Sequence, residues 1–318
     1  MSDLQHRTID TNGIRMHLVE AGSGPLVLLC HGFPESWYSW RHQLPALARA
    51  GYRAVAPDMR GYGGTDAPAE IERYTQLHHV GDMLGVLDAL GEEHAVIVGH
   101  DWGAPVAWNA ALVRPDRFRA VAALSVPYSP RGSVRPTQGL RALFGERFMY
   151  MLYFQAPGVA EVELERDPRD TIRRFLHAIS GDAPPGTGFV AKQKGAGVLD
   201  GMPDPEKLPA WLTETDINFY AEAFARTGFR GGLNWYRNLD RTWELMAPWH
   251  RATIVVPALF VAGDRDPVIA LRREALEHLR ETVPGLTKSV LLPGCGHWTQ
   301  QERPDEVNAE LLGWLRAL

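Results

Sequence analysis

The run Gly99-His100-Asp101-Trp102-Gly103 constrains this chain more than any other stretch. Apolar Ala95-Val96-Ile97-Val98 before it reads as a buried strand. Ala104-Pro105-Val106-Ala107-Trp108-Asn109-Ala110-Ala111 after it reads as a helix, with Pro105 tolerated in the first turn. A strand that turns sharply into a helix needs glycines on both sides of the apex, and the apex residue is thrust outward as a nucleophile. Serine is the usual occupant, and it acylates on carbonyl substrates. Asp101 changes the chemistry. A carboxylate is ionised near neutral pH and attacks a saturated carbon without a base, leaving an alkyl ester that must be hydrolysed. The plainer alternative is a buried, hydrogen-bonded aspartate that only closes a turn.

The segments around this elbow alternate strand and helix. Residues 14–20 alternate as a half-exposed strand, 26–30 form a continuous apolar run, and 53–57 give the next strand. Helices are expected over 37–50 and 76–90, the second carrying Leu77, Val80, Leu84, Leu87 and Leu90 at helical spacing. Strand 120–124 follows the elbow helix. The rhythm then fails between Pro127 and Pro248, where helical segments near 140–155, 168–179, 210–226 and 233–246 are joined by a Gly/Pro-rich connection running from Gly181 to Pro209. Strand 257–262, helix 270–281, strand 289–292 and helix 304–317 close the chain. The expected architecture is α/β, a mostly parallel central sheet with helices on both faces. Residues 1–126 and 249–318 would form that core, and 127–248 an inserted helical lid rich in aromatic residues.

Composition removes several function classes. The net charge of −5 offers no basic footprint for nucleic acid, and no Lys/Arg cluster suggests an anionic membrane. The N-terminus lacks a signal-peptide apolar core, and no apolar run is long enough to span a bilayer. Cys30 and Cys295 alone make no disulfide framework, so both are read as reduced and the compartment as cytoplasmic. Cys295 stands near His297, but sequence adjacency is no attack geometry, and Asp101 already occupies the elbow. His78-His79 and Glu92-Glu93-His94 have no partners at metal-site spacing and are read as surface residues, so no metal is expected. Gly61-Tyr62-Gly63-Gly64 lacks both the phosphate-loop lysine and a dinucleotide context.

A carboxylate nucleophile needs a base for its ester, and His297 in Gly294-Cys295-Gly296-His297-Trp298 directly follows a strand. Gly263-Asp264-Arg265-Asp266-Pro267 follows strand 257–262 and supplies a carboxylate for that imidazole, giving the order nucleophile, acid, histidine. Spacing does not choose between Asp264 and Asp266. An oxyanion hole is expected from the loop after strand 26–30 and from the residue after the nucleophile, hence the Phe33 and Trp102 N–H groups. Pro34 has no N–H and would fix the turn.

Four runs carry a resemblance: His31-Gly32-Phe33-Pro34-Glu35-Ser36-Trp37-Tyr38-Ser39-Trp40-Arg41, Gly99-His100-Asp101-Trp102-Gly103-Ala104-Pro105, Leu152-Tyr153-Phe154-Gln155-Ala156-Pro157-Gly158, and Gly228-Phe229-Arg230-Gly231-Gly232-Leu233-Asn234-Trp235-Tyr236-Arg237-Asn238. The chain resembles the soluble epoxide hydrolases of the α/β-hydrolase superfamily from about residue 8 onward, lid included. The resemblance implies a cofactor-independent enzyme that turns apolar epoxides and water into vicinal diols. It favours Asp266 over Asp264, and it implies two lid tyrosines that bind the epoxide oxygen, carried over to Tyr153 and Tyr220. Phe33, Trp102, Tyr153 and Tyr220 would then contact substrate. Phenols suit the task, because an opening epoxide develops alkoxide charge and a phenol stays protonated at neutral pH. Haloalkane dehalogenation uses the same aspartate elbow, with indole N–H groups for the halide, and is the nearest rival. A non-catalytic ligand receptor would be expected to lack part of the Asp101, Asp266 and His297 set. The sequence leaves the substrate and the oligomeric state open, a homodimer included.

Overall fold

The computed structural model describes residues 4–184, 186–187 and 192–318. Within it, one eight-stranded sheet runs in the order β1-β2-β4-β3-β5-β6-β7-β8. The strands are β1 (Gln5–Thr11), β2 (Ile14–Ala21), β3 (Leu26–Cys30), β4 (Arg53–Pro57), β5 (Ala95–His100), β6 (Phe118–Leu124), β7 (Ala258–Gly263) and β8 (Leu286–Leu292). β2 pairs antiparallel with β1 and β4, and every other pairing is parallel. The apolar runs are central for a physical reason. β3 and β7 are buried at every position, as strands covered on both faces must be. The core accordingly forms two clusters, one on each side of the sheet.

Several elements differ from the sequence reading. β1 was not expected there. Only its last residues bury side chains, so its apolar signal is weak, and pairing with β2 makes the strand. The expected helix 270–281 is three short pieces, Pro267–Leu271, Arg273–Glu277 and Leu279–Thr282. The expected helix 140–155 divides into Pro136–Phe144 and Tyr150–Tyr153, with Gly145 at φ +58° ending the first. His79, read as a surface residue, is buried with its ring 3.5 Å from that of Trp235 and Nε2 3.1 Å from the Tyr74 carbonyl.

Between β6 and β7 the described residues add no strand to the sheet. Helices from Pro136 to Leu245 fill the interval, and an isolated bridge between Arg131 and His250 joins its two ends. Residues 185 and 188–191 of the Gly/Pro-rich connection lie outside the described residues, as do residues 1–3. Among the described residues no helix is long and apolar enough to cross a membrane.

Candidate active site

The carboxyl ends of parallel strands are where such a sheet places chemistry. β5 ends at His100, and the helix Gly103–Val113 starts three residues on. Asp101 sits between them at φ +49°, a conformation non-glycine residues rarely adopt. The flanking glycines are sterically compelled. A Cβ on Gly99 would lie 2.0 Å from the Gly103 carbonyl oxygen, and one on Gly103 would lie 2.0 Å from that of Cys30. Gly32 is equally pinned, since its Cβ would fall 2.3 Å from Asp101 Oδ1.

The two carboxylate oxygens of Asp101 face different partners. Oδ1 accepts the Phe33 backbone N–H at 2.8 Å. Oδ2 lies 3.3 Å from His297 Nε2. The opposite ring nitrogen, Nδ1, lies 3.1 Å from both oxygens of Asp266. Asp264, the other candidate acid, accepts the Gly294 N–H at 2.7 Å and braces the turn instead. The Phe33–Pro34 peptide bond is cis. His297 is buried, which by itself disfavours its cation, but the Asp266 and Asp101 carboxylates outweigh burial and hold its pKa well above the usual imidazole value.

A second buried carboxylate–imidazole contact lies behind Asp101. His100 Nδ1 is 2.8 Å from Glu35 Oε2, and His100 Nε2 is 2.7 Å from the His297 carbonyl. Glu35 also accepts the Gly32 N–H at 2.8 Å and the side-chain amides of Gln300 and Gln301. Burial works to raise the Glu35 pKa. The His100 charge and hydrogen bond lead the opposing influences and hold it at about 2.

The expected tyrosines are not the ones at this cavity. Tyr153 donates its hydroxyl to Glu163 Oε2 at 2.8 Å, and that carboxylate also takes the Val198 and Leu199 N–H groups. Tyr220 is buried elsewhere, donating to Gln301 Oε1 at 3.1 Å with Ser39 Oγ 2.8 Å away. Neither hydroxyl is aimed at Asp101. Two other phenols are close by, neither of which the sequence reading had given a role. Tyr150 lines the Asp101 cavity. Tyr236 packs its ring 4.9 Å from Trp102, 5.6 Å from Phe33 and 5.8 Å from Tyr150. The Trp102 and Tyr236 rings meet edge to face, at 86°. Burial, with the Asp101 charge next in size, pushes both phenol pKa values upward.

The reason for the exchange is geometric. Tyr150 and Tyr153 share a single helical turn, and three residues at 3.6 per turn leave them about 60° apart around the axis. Only tertiary docking decides which one meets the cavity. Tyr236 already lies within a run quoted for the resemblance, so a signal existed, but nothing local ranks it above Tyr220.

The cavity has a volume of about 370 Å³ and is walled largely by aromatic and aliphatic side chains, among them Trp102, Trp108, Tyr150, Trp235 and Leu271. Its depth holds Asp101, and the β6–β7 insertion supplies much of its wall. Cys30 and Cys295 are free, buried thiols whose pKa values burial pushes upward, so neither competes as a nucleophile.

The sequence pattern of the alpha/beta hydrolase fold family matches residues 25–304. The chain is 52% identical to Epoxide hydrolase A of Mycobacterium tuberculosis over 318 residues, covering 98% of this chain and 97% of the relative. It is 48% identical to Epoxide hydrolase 3 of Siraitia grosvenorii, with 98% of each covered. Among solved structures it is similar to Epoxide Hydrolase A from Mycobacterium thermoresistibile, with a TM-score of 0.95, 52% identity and 99% of each chain covered.

Proposed function

This chain belongs to the epoxide hydrolases of the alpha/beta hydrolase fold family, and we propose that it converts epoxides to vicinal diols through a covalent ester on Asp101. The observation that carries this reading is the division of labour at that carboxylate. One oxygen is held by a backbone N–H and the other faces a paired imidazole, beside a cavity lined by the Tyr150 phenol, against which the Tyr236 ring packs.

In the first half-reaction Asp101 Oδ2 attacks an epoxide carbon, and the carbon–oxygen bond of the ring breaks. Tyr150 and Tyr236 hold the departing oxygen, and one of them gives it a proton. Their raised pKa values keep both phenols protonated until that moment. Esterification abolishes the Asp101 charge, one of the influences that hold the His297 proton. The imidazolium then returns a proton to the tyrosinate and becomes a neutral base.

In the second half-reaction His297, oriented by Asp266, takes a proton from water as that water attacks the ester carbonyl carbon. The Phe33 N–H is placed for the oxyanion, with the Trp102 N–H as the second donor. Collapse breaks the bond from the carbonyl carbon to the diol oxygen, which takes the second proton of the attacking water, and release of the diol restores the Asp101–His297 ion pair. No cofactor enters this cycle.

Residues 127–248 act as the lid over the cavity in this reading, and the aromatic wall suits an apolar epoxide. Cytoplasmic residence and a homodimer complete the proposal.

A single turnover in heavy-oxygen water tests the mechanism. Label is expected first in the Asp101 carboxylate and in the diol only on later turnovers. Label in the diol at first turnover would establish direct attack by water. The variant His297→Gln is expected to accumulate the alkyl-enzyme, visible as an added mass.

A further inference from the structure

The acid Glu302 takes no part in the steps above, yet it is wired into the histidine loop. It ends the short helix Thr299–Glu302. Its carboxylate accepts three backbone N–H groups: Gly296 at 2.8 Å, Trp298 at 3.0 Å and Gly181 at 2.9 Å. The first two flank His297 on either side. The third comes from the segment just after the helix Pro168–Ala178 of the β6–β7 insertion.

That segment makes further contacts with the catalytic loops. The His297 N–H donates to the Ile179 carbonyl at 2.9 Å, and the Trp298 indole donates to the Leu176 carbonyl at 2.8 Å. The guanidinium of Arg265, next to Asp266, donates to the Gly181 carbonyl at 2.9 Å. The approach is backbone to backbone. A Cβ on Gly181 would meet the Gly294 carbonyl oxygen at 2.1 Å, and a Cβ on Gly296 would meet the Gly181 nitrogen at 2.2 Å.

The nucleophile and the phenols hang from other supports. Asp101 is held by the elbow and the Phe33 N–H. The Tyr150 and Tyr236 helices are tied together by Gln155, whose amide donates to the Met151 and Tyr236 carbonyls, each at 2.8 Å. None of these contacts passes through Glu302.

We propose that Glu302 is a positioning residue through which the seating of residues 176–181 fixes His297, so that ester hydrolysis depends on this contact and ester formation does not. The inference rests on the reading of His297 as the hydrolytic base. A single carboxylate suits the task because both its oxygens accept, whereas an amide offers one acceptor and presents N–H groups to N–H groups. A small tilt of the imidazole suffices, since misplacement by about 1 Å can lower a rate by about 10²-fold.

The experiment is rapid mixing of Glu302→Gln with excess styrene oxide, quenching, and mass analysis of the protein over time. Ester formation is expected within about threefold of the parent rate, and ester hydrolysis about 10- to 100-fold slower, so that the alkyl-enzyme accumulates. Gly181→Ala reaches the same contact from the other side and decides the matter if Glu302→Gln does not fold. Equal slowing of both half-reactions, or a lowered melting temperature with both rates unchanged, would overturn the proposal. The variant His297→Gln serves as the reference. If it forms no trapped ester, the mechanism itself fails; if it traps ester and neither other variant does, only the role of Glu302 falls.

Discussion

Asp101 and His297 meet with 3.3 Å between Oδ2 and Nε2, so in the proposed mechanism the nucleophile of one half-reaction and the base of the other form a single ion pair at rest. The Asp101 carboxylate helps hold the His297 proton. In that mechanism, loss of the carboxylate charge on alkylation frees the imidazole for its own step.

That coupling is measurable by titration. Burial lowers the His297 pKa, and the Asp266 and Asp101 carboxylates more than reverse it. Asp101→Asn is expected to shift the His297 imidazole titration, followed by NMR, to lower pH. The sign for stability follows from the raised folded-state value. The stabilisation is fully present below the unfolded pKa near 6.5 and is lost as pH rises through the elevated folded pKa. The melting temperature of the parent should therefore fall over that alkaline interval, and that of Asp101→Asn should fall earlier. Identical histidine titrations in the two proteins would contradict the pairing.

The four tyrosines separate the geometric assignment from the motif-based one. Tyr150→Phe and Tyr236→Phe are each expected to slow ester formation by about 10²- to 10³-fold, the scale of removing one donor from a developing oxyanion. Tyr153→Phe and Tyr220→Phe should leave that rate within about threefold. Their effect falls on stability, by about 1 kcal/mol for each lost hydrogen bond, read from denaturant unfolding. A strong rate effect at Tyr153 or Tyr220 would reverse the assignment.

Gly32 has no room for a methyl group. The added Cβ of Gly32→Ala would lie 2.3 Å from Asp101 Oδ1 and 2.4 Å from Asp101 Cβ. Displacement of the nucleophile is expected to lower ester formation by about 10²-fold or more, with an unchanged circular dichroism spectrum. Full activity in this variant would show that the Asp101 side chain tolerates a different pose.

Glu35 sets an acid limit on the fold. Its pKa of about 2 arises against burial, chiefly through His100. A depressed carboxylate contributes stability above its unfolded value near 4.5 and loses it as pH falls toward 2. Glu35→Gln is expected to lower stability by about 3 kcal/mol near neutral pH, the scale of breaking a buried pair. The gap to the parent should narrow below pH 4.5. A gap independent of pH would mean that Glu35 contributes by shape alone.

The sequence was a good guide wherever function is carried by a short continuous stretch. The Asp101 elbow, the His31–Pro34 loop and the His297 loop each consist of a strand end and a few following residues. The sheet brings those ends together because β3, β5, β6, β7 and β8 point the same way. Glycine positions could be read for the same reason, since their crowding arises within one turn. The segment Gly263–Pro267 was also placed correctly, although spacing left Asp264 and Asp266 equivalent. Geometry separates them: Asp266 caps the helix Pro267–Leu271 through the Val268 N–H and reaches His297, while Asp264 turns toward Gly294.

By itself, then, the sequence determined the layered α/β core and the strand-end loops that carry Asp101, Phe33 and His297, because local patterning and chain order specify them. Only the tertiary structure decided which phenols overlook Asp101 and how the insertion grips the histidine loop. Tyr150 and Tyr153 lie three residues apart on a single turn, and Tyr220 and Tyr236 lie on separate helices. Their directions depend on how whole helices dock, and that docking is set by packing between residues far apart in the chain.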